Sequence, residues 1–235
     1  MKNVIILSAG IGSRLRPLTL NLPKTCIAVG QKTIITRLVS QIRSSDTEHI
    51  ITIVIGYLGH KVKEELSETF SNIKFVYNAD YESTNNLYSC MLALQGISHG
   101  EVVIINGDCV YDDEIVTTML SSKESAIAVD SSSYFDESMK VRVLDNSVKR
   151  ISKNIKKGAN VFTSIDLYYF TENDWKSLLE IMEKICASGT LGEWTEVAID
   201  RLTKLQNVGV IDFANKNWVE VDNLEDLDKA NNIWS

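Results

Sequence analysis

Residues 5–24 read IILSAGIGSRLRPLTLNLPK. With Val4 before it, the apolar run through Leu7 predicts a buried strand, and the glycines behind it predict a tight loop at the strand's end. Gly10, Gly12 and Ser13 follow the strand directly, so backbone N–H groups can approach a polyphosphate where a side chain would block it. Arg14 and Lys24, the latter behind Pro23, bring full positive charge to the same place.

The wider charge pattern agrees. The 235-residue chain has a formal net charge of -7, yet its first 45 residues hold no Asp or Glu and seven basic residues: Lys2, Arg14, Arg16, Lys24, Lys32, Arg37 and Arg43. The remainder therefore carries -14. An acidic protein that keeps one segment purely basic concentrates positive potential where a polyanion docks. Lys32, Arg37 and Arg43 also fit a solvated basic helix face, whereas Arg14 and Lys24 lie in a loop that gains little stability from such charges.

Two other phosphate loops are excluded. A Walker A loop needs Gly-Lys followed by Ser or Thr after four intervening residues, and no such run follows Gly10 or Gly12. A dinucleotide fingerprint needs a third glycine where Leu15 stands and an acid at the end of the second strand, where Gly56-Tyr57 stand instead.

Apolar stretches at 3–8, 50–56, 73–77 and 101–106 read as buried strands, and amphipathic stretches at 33–44, 59–70 and 86–97 as helices between them. After residue 107 the alternation loosens into short strands at 126–129, 140–143 and 147–151 and a long one at 161–170, with helices at 171–187 and 193–205. The expected fold is α/β, a Rossmann-like, mostly parallel mixed sheet flanked by helices, with ligands at the strands' carboxyl ends. At 44% hydrophobic and 23% charged, the chain can bury one large core. No repeat, low-complexity linker or apolar run near the ~20 residues of a membrane span is visible. One lysine before a short apolar strand, without a small-residue cleavage site, does not read as a signal peptide. Cys26, Cys90, Cys109 and Cys186 are scattered, with no CxxC or His partner at ligand spacing, and read as reduced core thiols of a cytoplasmic protein. A pI of about 5.1 without a basic stripe joined to aromatics argues against nucleic acid as a partner.

The run Leu7 to Thr19, followed by Pro23-Lys24, resembles the signature of the nucleotidyltransferases that activate sugar 1-phosphates and small phosphoalcohols. Asn85-Asn86-Leu87-Tyr88-Ser89 is similar to a phrase in bacterial choline-phosphate cytidylyltransferases and related phosphonate and phosphoalcohol enzymes. The resemblance runs from residue 1 to the closing helix and thins between about 110 and 215. It implies one nucleotidyltransferase domain over 1–235, with a nucleotide-binding half to about residue 110 and an acceptor-binding half from about 111. The β-helix domain of larger members has no counterpart in these residues. The implied activity is a magnesium-dependent transfer of CMP from CTP to a small phosphorylated alcohol or phosphonate, serving cell-surface polysaccharide or phosphonate biosynthesis. Monomer and homodimer both stay open. Two readings compete: a hexose-1-phosphate uridylyl- or thymidylyltransferase, and a non-catalytic nucleotide-binding regulatory module. Against the second, Lys24, Asp108 and Asp222 are all present.

The resemblance also assigns residues. Leu7, Ala9, Gly10, Gly12, Ser13, Arg14 and Lys24 would hold the triphosphate. Asp108 stands just beyond the apolar run 102–106, where the family ligates magnesium, although an Asp turn shared with Asp112 and Asp113 is the local alternative. Asp222 ends the short strand Trp218-Val219-Glu220-Val221, opens a helix at 223–233 and would be the second metal ligand, although Asp222-x-x-Glu225 is also a capping-box pattern. Lys153 stands where the family pairs a lysine with the acceptor's phosphate, yet Lys149, Arg150, Lys156 and Lys157 make a surface basic cluster equally consistent. The nucleobase is expected near Gly56-Tyr57 and Thr84, Asn85, Asn86 and Ser89, whose amides and hydroxyls offer donors and acceptors; Thr84 and Asn85 could equally cap the helix that follows. Asp166, an acid inside an apolar strand, needs a substrate hydroxyl or amine or a core hydrogen bond. Glu193, Trp194 and Glu196 open a helix, where acids are ordinary, and double as acceptor-pocket candidates. The choline enzymes carry a tryptophan in the segment corresponding roughly to Ser131–Arg142; this chain offers Tyr134 and Phe135 there instead. Phosphonates, polyol phosphates and sugar phosphates therefore fit as well as phosphocholine.

Overall fold

β-Branched and leucine side chains leave the stretches 3–8, 50–55 and 102–106 no solvent face, and in the computed structural model, which describes residues 1–235, they form adjacent central strands. The chain begins β1 (Asn3–Ser8), β2 (Ala28–Val29), β3 (Lys32–Thr33), α1 (Ile34–Ser45), β4 (Ile50–Ile55), α2 (Gly59–Ser67) and β5 (Ile73–Tyr77). It continues through α3 (Asn86–Leu94), β6 (Val102–Asn106), β7 (Cys109–Tyr111), α4 (Asp113–Ser121) and β8 (Ala126–Asp130). It closes with β9 (Lys140–Leu144), β10 (Ser147–Ser152), β11 (Val161–Phe170), α5 (Glu172–Ala187), α6 (Thr195–Leu202), β12 (Gly209–Asp212), β13 (Trp218–Glu220) and α7 (Leu224–Trp234).

Nine strands form one mixed sheet in the order β5-β4-β1-β6-β11-β8-β12-β10-β9. The first four are parallel. β11 then runs antiparallel between β6 and β8, and its first residues also pair with β9. Side chains of β1 alternate between two cores: Val4 and Ile6 pack with α1, α2 and α4 on one face, Ile5 and Leu7 with α3, α5 and α6 on the other. No helix is long and apolar enough to cross a membrane.

Two further features shape the site, a strand pair off the sheet and a bulge within it. β7 and β13 form an antiparallel pair with Cys109 opposite Glu220. In β11 the register against β8 slips between Ser164 and Tyr168, a bulge in which Asp166 takes a φ of 59°. Bulges re-aim side chains, and a left-handed non-glycine residue inside a strand marks a position held for a purpose.

Arg37 and Arg43 do not form a solvated face. Arg43 donates to the carbonyls of Thr47, His49 and Asn72 at 2.6, 2.7 and 3.1 Å and fastens two loops, while Arg37 donates to Val29 O at 3.1 Å.

The closing helix is clasped to the β2-β3 turn. Gly30 has a φ of 61°, its N–H donates to Asn231 Oδ1 at 2.9 Å, and an added Cβ would run into Trp234 O. Gly30→Ala should therefore cost about 1–3 kcal/mol of stability, from left-handed strain and displacement of α7, read as a lowered urea midpoint.

Candidate active site

Lys24 is placed by a single 3-10 turn, Lys24–Cys26, that opens after Pro23. Its ammonium lies 2.8 Å from Asp108 Oδ2 and 2.6 Å from Asp222 Oδ1, and Arg14 reaches the other Asp222 oxygen at 2.9 Å. Asp108 owes its position to Gly107, whose N–H donates to Leu7 O at 2.9 Å. A Cβ on Gly107 would come within 2.5 Å of that same carbonyl, so glycine alone lets β6 turn this close to β1. Asp222 is brought alongside because Val221 N–H donates to Asp108 O at 2.9 Å, extending the β7-β13 pair.

The helix cap is displaced by one residue from the sequence pattern. Asn223 Oδ1 accepts from Glu225 N and Asp226 N, and Asp226 Oδ2 accepts from Asn223 N. Asn223 thus caps α7 and leaves the Asp222 carboxylate to Lys24 and Arg14. Asp112 and Asp113 turn elsewhere: Asp112 accepts from Asn217, Asp113 from Gln41.

Electrostatics favour the charged forms of Lys24 and Asp222. Burial works against the Lys24 ammonium, but Asp108 and Asp222 outweigh it and raise its pKa. Burial likewise opposes the Asp222 carboxylate, and Lys24 and Arg14 hold it below its ordinary value. Glu220 stands two residues before Asp222, and one oxygen each from Asp108, Glu220 and Asp222 lie within 4.8 Å of one another. Burial first, then Asp166, Asp108 and Asp222, push Glu220 up to about 9.

The glycine loop rests against this centre. Gly12 has a φ of 64°, and an added Cβ would meet Lys24 Cβ at 2.9 Å. Thr19 donates to Gly12 O at 2.8 Å, and the Tyr57 hydroxyl lies 2.9 and 3.0 Å from the carbonyls of Thr19 and Leu20.

One cleft of about 360 Å³ collects most of the residues singled out from sequence. Leu7, Ala9, Gly10, Gly12, Ser13, Arg14, Lys24 and Asp108 line it, as do Thr84, Asn85, Asn86 and Ser89 around the start of α3. Asn85 also caps α3, its Oδ1 accepting from Asn86 N at 2.8 Å, so the capping and cleft readings hold together. Asn86 Oδ1 accepts from Thr195 N at 2.9 Å and ties α3 to α6. Asp222 also lines the cleft, with Lys153, Asp166, Trp194 and Glu196.

Gly56, Tyr57 and Glu193 fall outside the lining. A Cβ on Gly56 would meet Ala9 O and Tyr81 Cβ at 2.7 Å each, so this glycine permits close approach behind the cleft. Tyr57 fastens the loop from below, and Glu193 meets α3 through its carbonyl, which accepts from Leu87 N at 3.4 Å.

The end of the cleft beyond Asp108 is acidic. Lys153 Nζ stands 4.7 Å from the centroid of the Trp194 ring. The β11 bulge places Asp166 Oδ1 3.0 Å from the Tyr168 hydroxyl, which lies 2.6 Å from Glu196 Oε1. Glu196 is 2% exposed and its second oxygen has no hydrogen-bond partner.

With this geometry in view, residues 3–140 match the family described as Nucleotidyl transferase. The chain belongs to that family. It is 30% identical over 185 residues to the 2-aminoethylphosphonate cytidylyltransferase of Lancefieldella rimae, covering 77% of this chain and 71% of that one. It is 24% identical over 237 residues to the choline-phosphate cytidylyltransferase of Streptococcus pneumoniae, covering 97% and 96%. Identity to the bifunctional IPC transferase and DIPP synthase of Aquifex aeolicus is 25% over 233 residues, and the chain spans 51% of that protein's length. The solved structure of the CTP:phosphocholine cytidylyltransferase of Streptococcus pneumoniae superposes with a TM-score of 0.81 over 100% of both chains at 21% identity, which establishes the shared fold.

Sequence reasoning missed several residues that this nucleotidyltransferase brings to its cleft, among them Asn78, Tyr81, Asn106, Glu137, Ser138 and Glu220. Asn78 donates to Thr84 Oγ1 and Ser89 Oγ at 3.0 and 2.9 Å and braces that wall. Its signal was present: Asn78 directly follows β5, as Asn106 ends β6, where ligands gather in a parallel sheet.

Burial, then repulsion from Glu196 and Asp108, push Asp166 up to about 8. An unfolded aspartate titrates near ~3.9, so between those values the native nucleotidyltransferase holds a proton that the unfolded chain has released. This site therefore makes stability fall as pH rises from about 4 to about 8. Asp166→Asn should flatten that decline, checked by urea unfolding of both proteins at pH 5 and pH 8.

Proposed function

We propose that this nucleotidyltransferase is a cytidylyltransferase that joins CMP from CTP to a small phosphorylated alcohol or phosphonate, releasing pyrophosphate. The observation that carries the reading is one cleft in which the glycine loop and Lys24 meet Lys153 and an acidic end. Three features support it: the cytidylyltransferase names of relatives, the amide and hydroxyl wall from Asn78 to Ser89, and the carboxylates Asp166 and Glu196. A partnerless, buried carboxylate oxygen suits an acceptor that presents an ammonium or hydroxyl donor at the end opposite its phosphate.

The reaction is an in-line displacement. An acceptor phosphate or phosphonate oxygen forms a bond to the α-phosphorus, the bond to the β-phosphate breaks, and pyrophosphate leaves with the electron pair. The nucleophile is already an anion, so no general base is needed. What is needed is to hold two repelling polyanions in line and to neutralise charge. Lys24 and Lys153 would flank the reacting phosphates, and Arg14 with the loop N–H groups would hold the departing pyrophosphate.

Asp108, Glu220 and Asp222 offer a hard oxygen set with one atom each within 4.8 Å, which fits magnesium. Asp108 and Asp222 would hold the ion, which when bound supplies positive charge to the phosphates.

Pyrophosphate release across CTP, UTP, dTTP and ATP, crossed with phosphocholine, 2-aminoethylphosphonate and glucose 1-phosphate, tests the assignment. Turnover confined to CTP with an amine-bearing acceptor is expected; turnover with UTP or dTTP and glucose 1-phosphate would replace it with the hexose reading. Lys24→Met should lower kcat about 10²- to 10³-fold with an unchanged circular dichroism spectrum. Near-normal turnover would remove Lys24 from the chemistry.

A further inference from the structure

We infer that Trp218 is a positioning residue for the acceptor: it fastens the segment 131–139, whose Glu137 and Ser138 line the cleft, to the strand that carries Glu220. The inference rests on the reading that the acceptor lies at the acidic end of the cleft.

The segment joins β8 to β9 and contains no helix or strand. It is a partition. Glu137 and Ser138 line the cleft, and Ser133 through Ser138 also line a second cavity of about 590 Å³ whose other walls include Trp218, Lys216, Asp226 and Lys229. Apart from Met139, which is buried in the core at its far end, such a wall has little packing to hold it, because dispersion contacts need atoms against each face. Its position comes from hydrogen bonds, two of them from Thr163 Oγ1 to Ser133 O at 2.8 Å and from the Tyr134 hydroxyl to Ile155 O at 3.4 Å, and the rest at its edges.

At the first edge Asp130, 4% exposed, accepts from Ser132 N at 2.8 Å, from Ser132 Oγ at 2.6 Å, from Ser133 Oγ, and from Trp218 Nε1 at 3.0 Å. Burial would raise the pKa of this carboxyl, but the Ser132, Ser133 and indole donors hold it below the ordinary value, so it stays an anion with strong hydrogen bonds. Beside it, Asp212 takes Ser131 N at 3.0 Å. At the other edge the buried Lys140 donates from Nζ to Asp136 O at 2.6 Å. Between the edges, the Phe135 ring stands edge-on to Trp218, with centroids 6.1 Å apart and planes at 79°.

Trp218 and Glu220 are two residues apart on β13 and point to the same side of it. The indole therefore joins three things: the anchor acid of the partition, the ring at its middle, and the strand of the carboxylate cluster. A phenylalanine could supply the ring contact but not the N–H, and a tyrosine would place its donor differently.

Trp218→Phe keeps the ring and removes the donor. Hydrogen exchange on the full-length protein should show amides of 131–139 opening about tenfold faster, with β1 and β6 unchanged. With CTP and whichever of phosphocholine or 2-aminoethylphosphonate is turned over, the acceptor KM should rise about tenfold while kcat and the CTP KM stay within about twofold. Asp130→Asn, which keeps the shape and weakens the charge-assisted bonds, should shift both readouts in the same direction. Unchanged exchange in 131–139 would overturn the inference, as would acceleration shared by β1 and β6 or an equal rise in both KM values. A wild-type protein inactive with every acceptor would remove the cytidylyltransferase reading, while the exchange measurement would still decide the role of Trp218.

Discussion

Two carboxylates cannot stay ionised a few ångströms apart without a cation between them, and Lys24 is that cation for Asp108 and Asp222. The three residues are far apart in the chain, and each arrives by a different device. A proline-opened turn delivers Lys24, a glycine at the end of a buried strand delivers Asp108, and a three-residue strand pair delivers Asp222. The glycine loop, the β7-β13 pair and the shifted cap of α7 all serve this one charge arrangement. Taking away the lysine would leave an anionic cluster in the place where the anionic triphosphate is expected.

The parts of the molecule that were legible in sequence are those with a strong local signal. Strands 3–8, 73–77 and 161–170 are apolar runs, and the structure forms them with the same bounds. Residues of the glycine loop, Asp108 and the start of α3 were also readable, because they lie at the carboxyl ends of such strands. The short strand at 218–221 was readable and forms as β13, Trp218–Glu220, but its pairing with β7 was not, and β7 and β12 were harder. A strand of three or four residues leaves too short a pattern to show a period, and the partners Cys109 and Glu220 are more than a hundred residues apart. The cap at Asp222 was displaced for a similar reason: Asp222-Asn223 offers two adjacent capping residues, and tertiary contact with Lys24 decides between them. Gly56-Tyr57 misled because the same loop-like sequence suits a brace behind a cleft as well as a contact inside it. Asp166 could be recognised as anomalous, but the bulge that turns it into the cleft leaves no mark in an apolar run.

The two ends of the cleft follow opposite electrostatic strategies. Around the loop, opposite charges are paired, which favours the charged forms of Lys24 and Asp222. At the far end Asp166 and Glu196 share a buried tyrosine hydroxyl, and burial raises both acids. A buried acid of this kind can lose its charge in isolation and regain it beside a hydrogen-bond donor or a cation.

β11 crosses between these ends. Leu167–Phe170 pair with β6, beside the strand that feeds the glycine loop, while Val161–Thr163 pair with β9, next to the segment 131–139. One strand thus runs beneath both ends of the cleft, with the bulge at Asp166 between them. A slip in its register would therefore move the floor under both ends at once, not under one end alone.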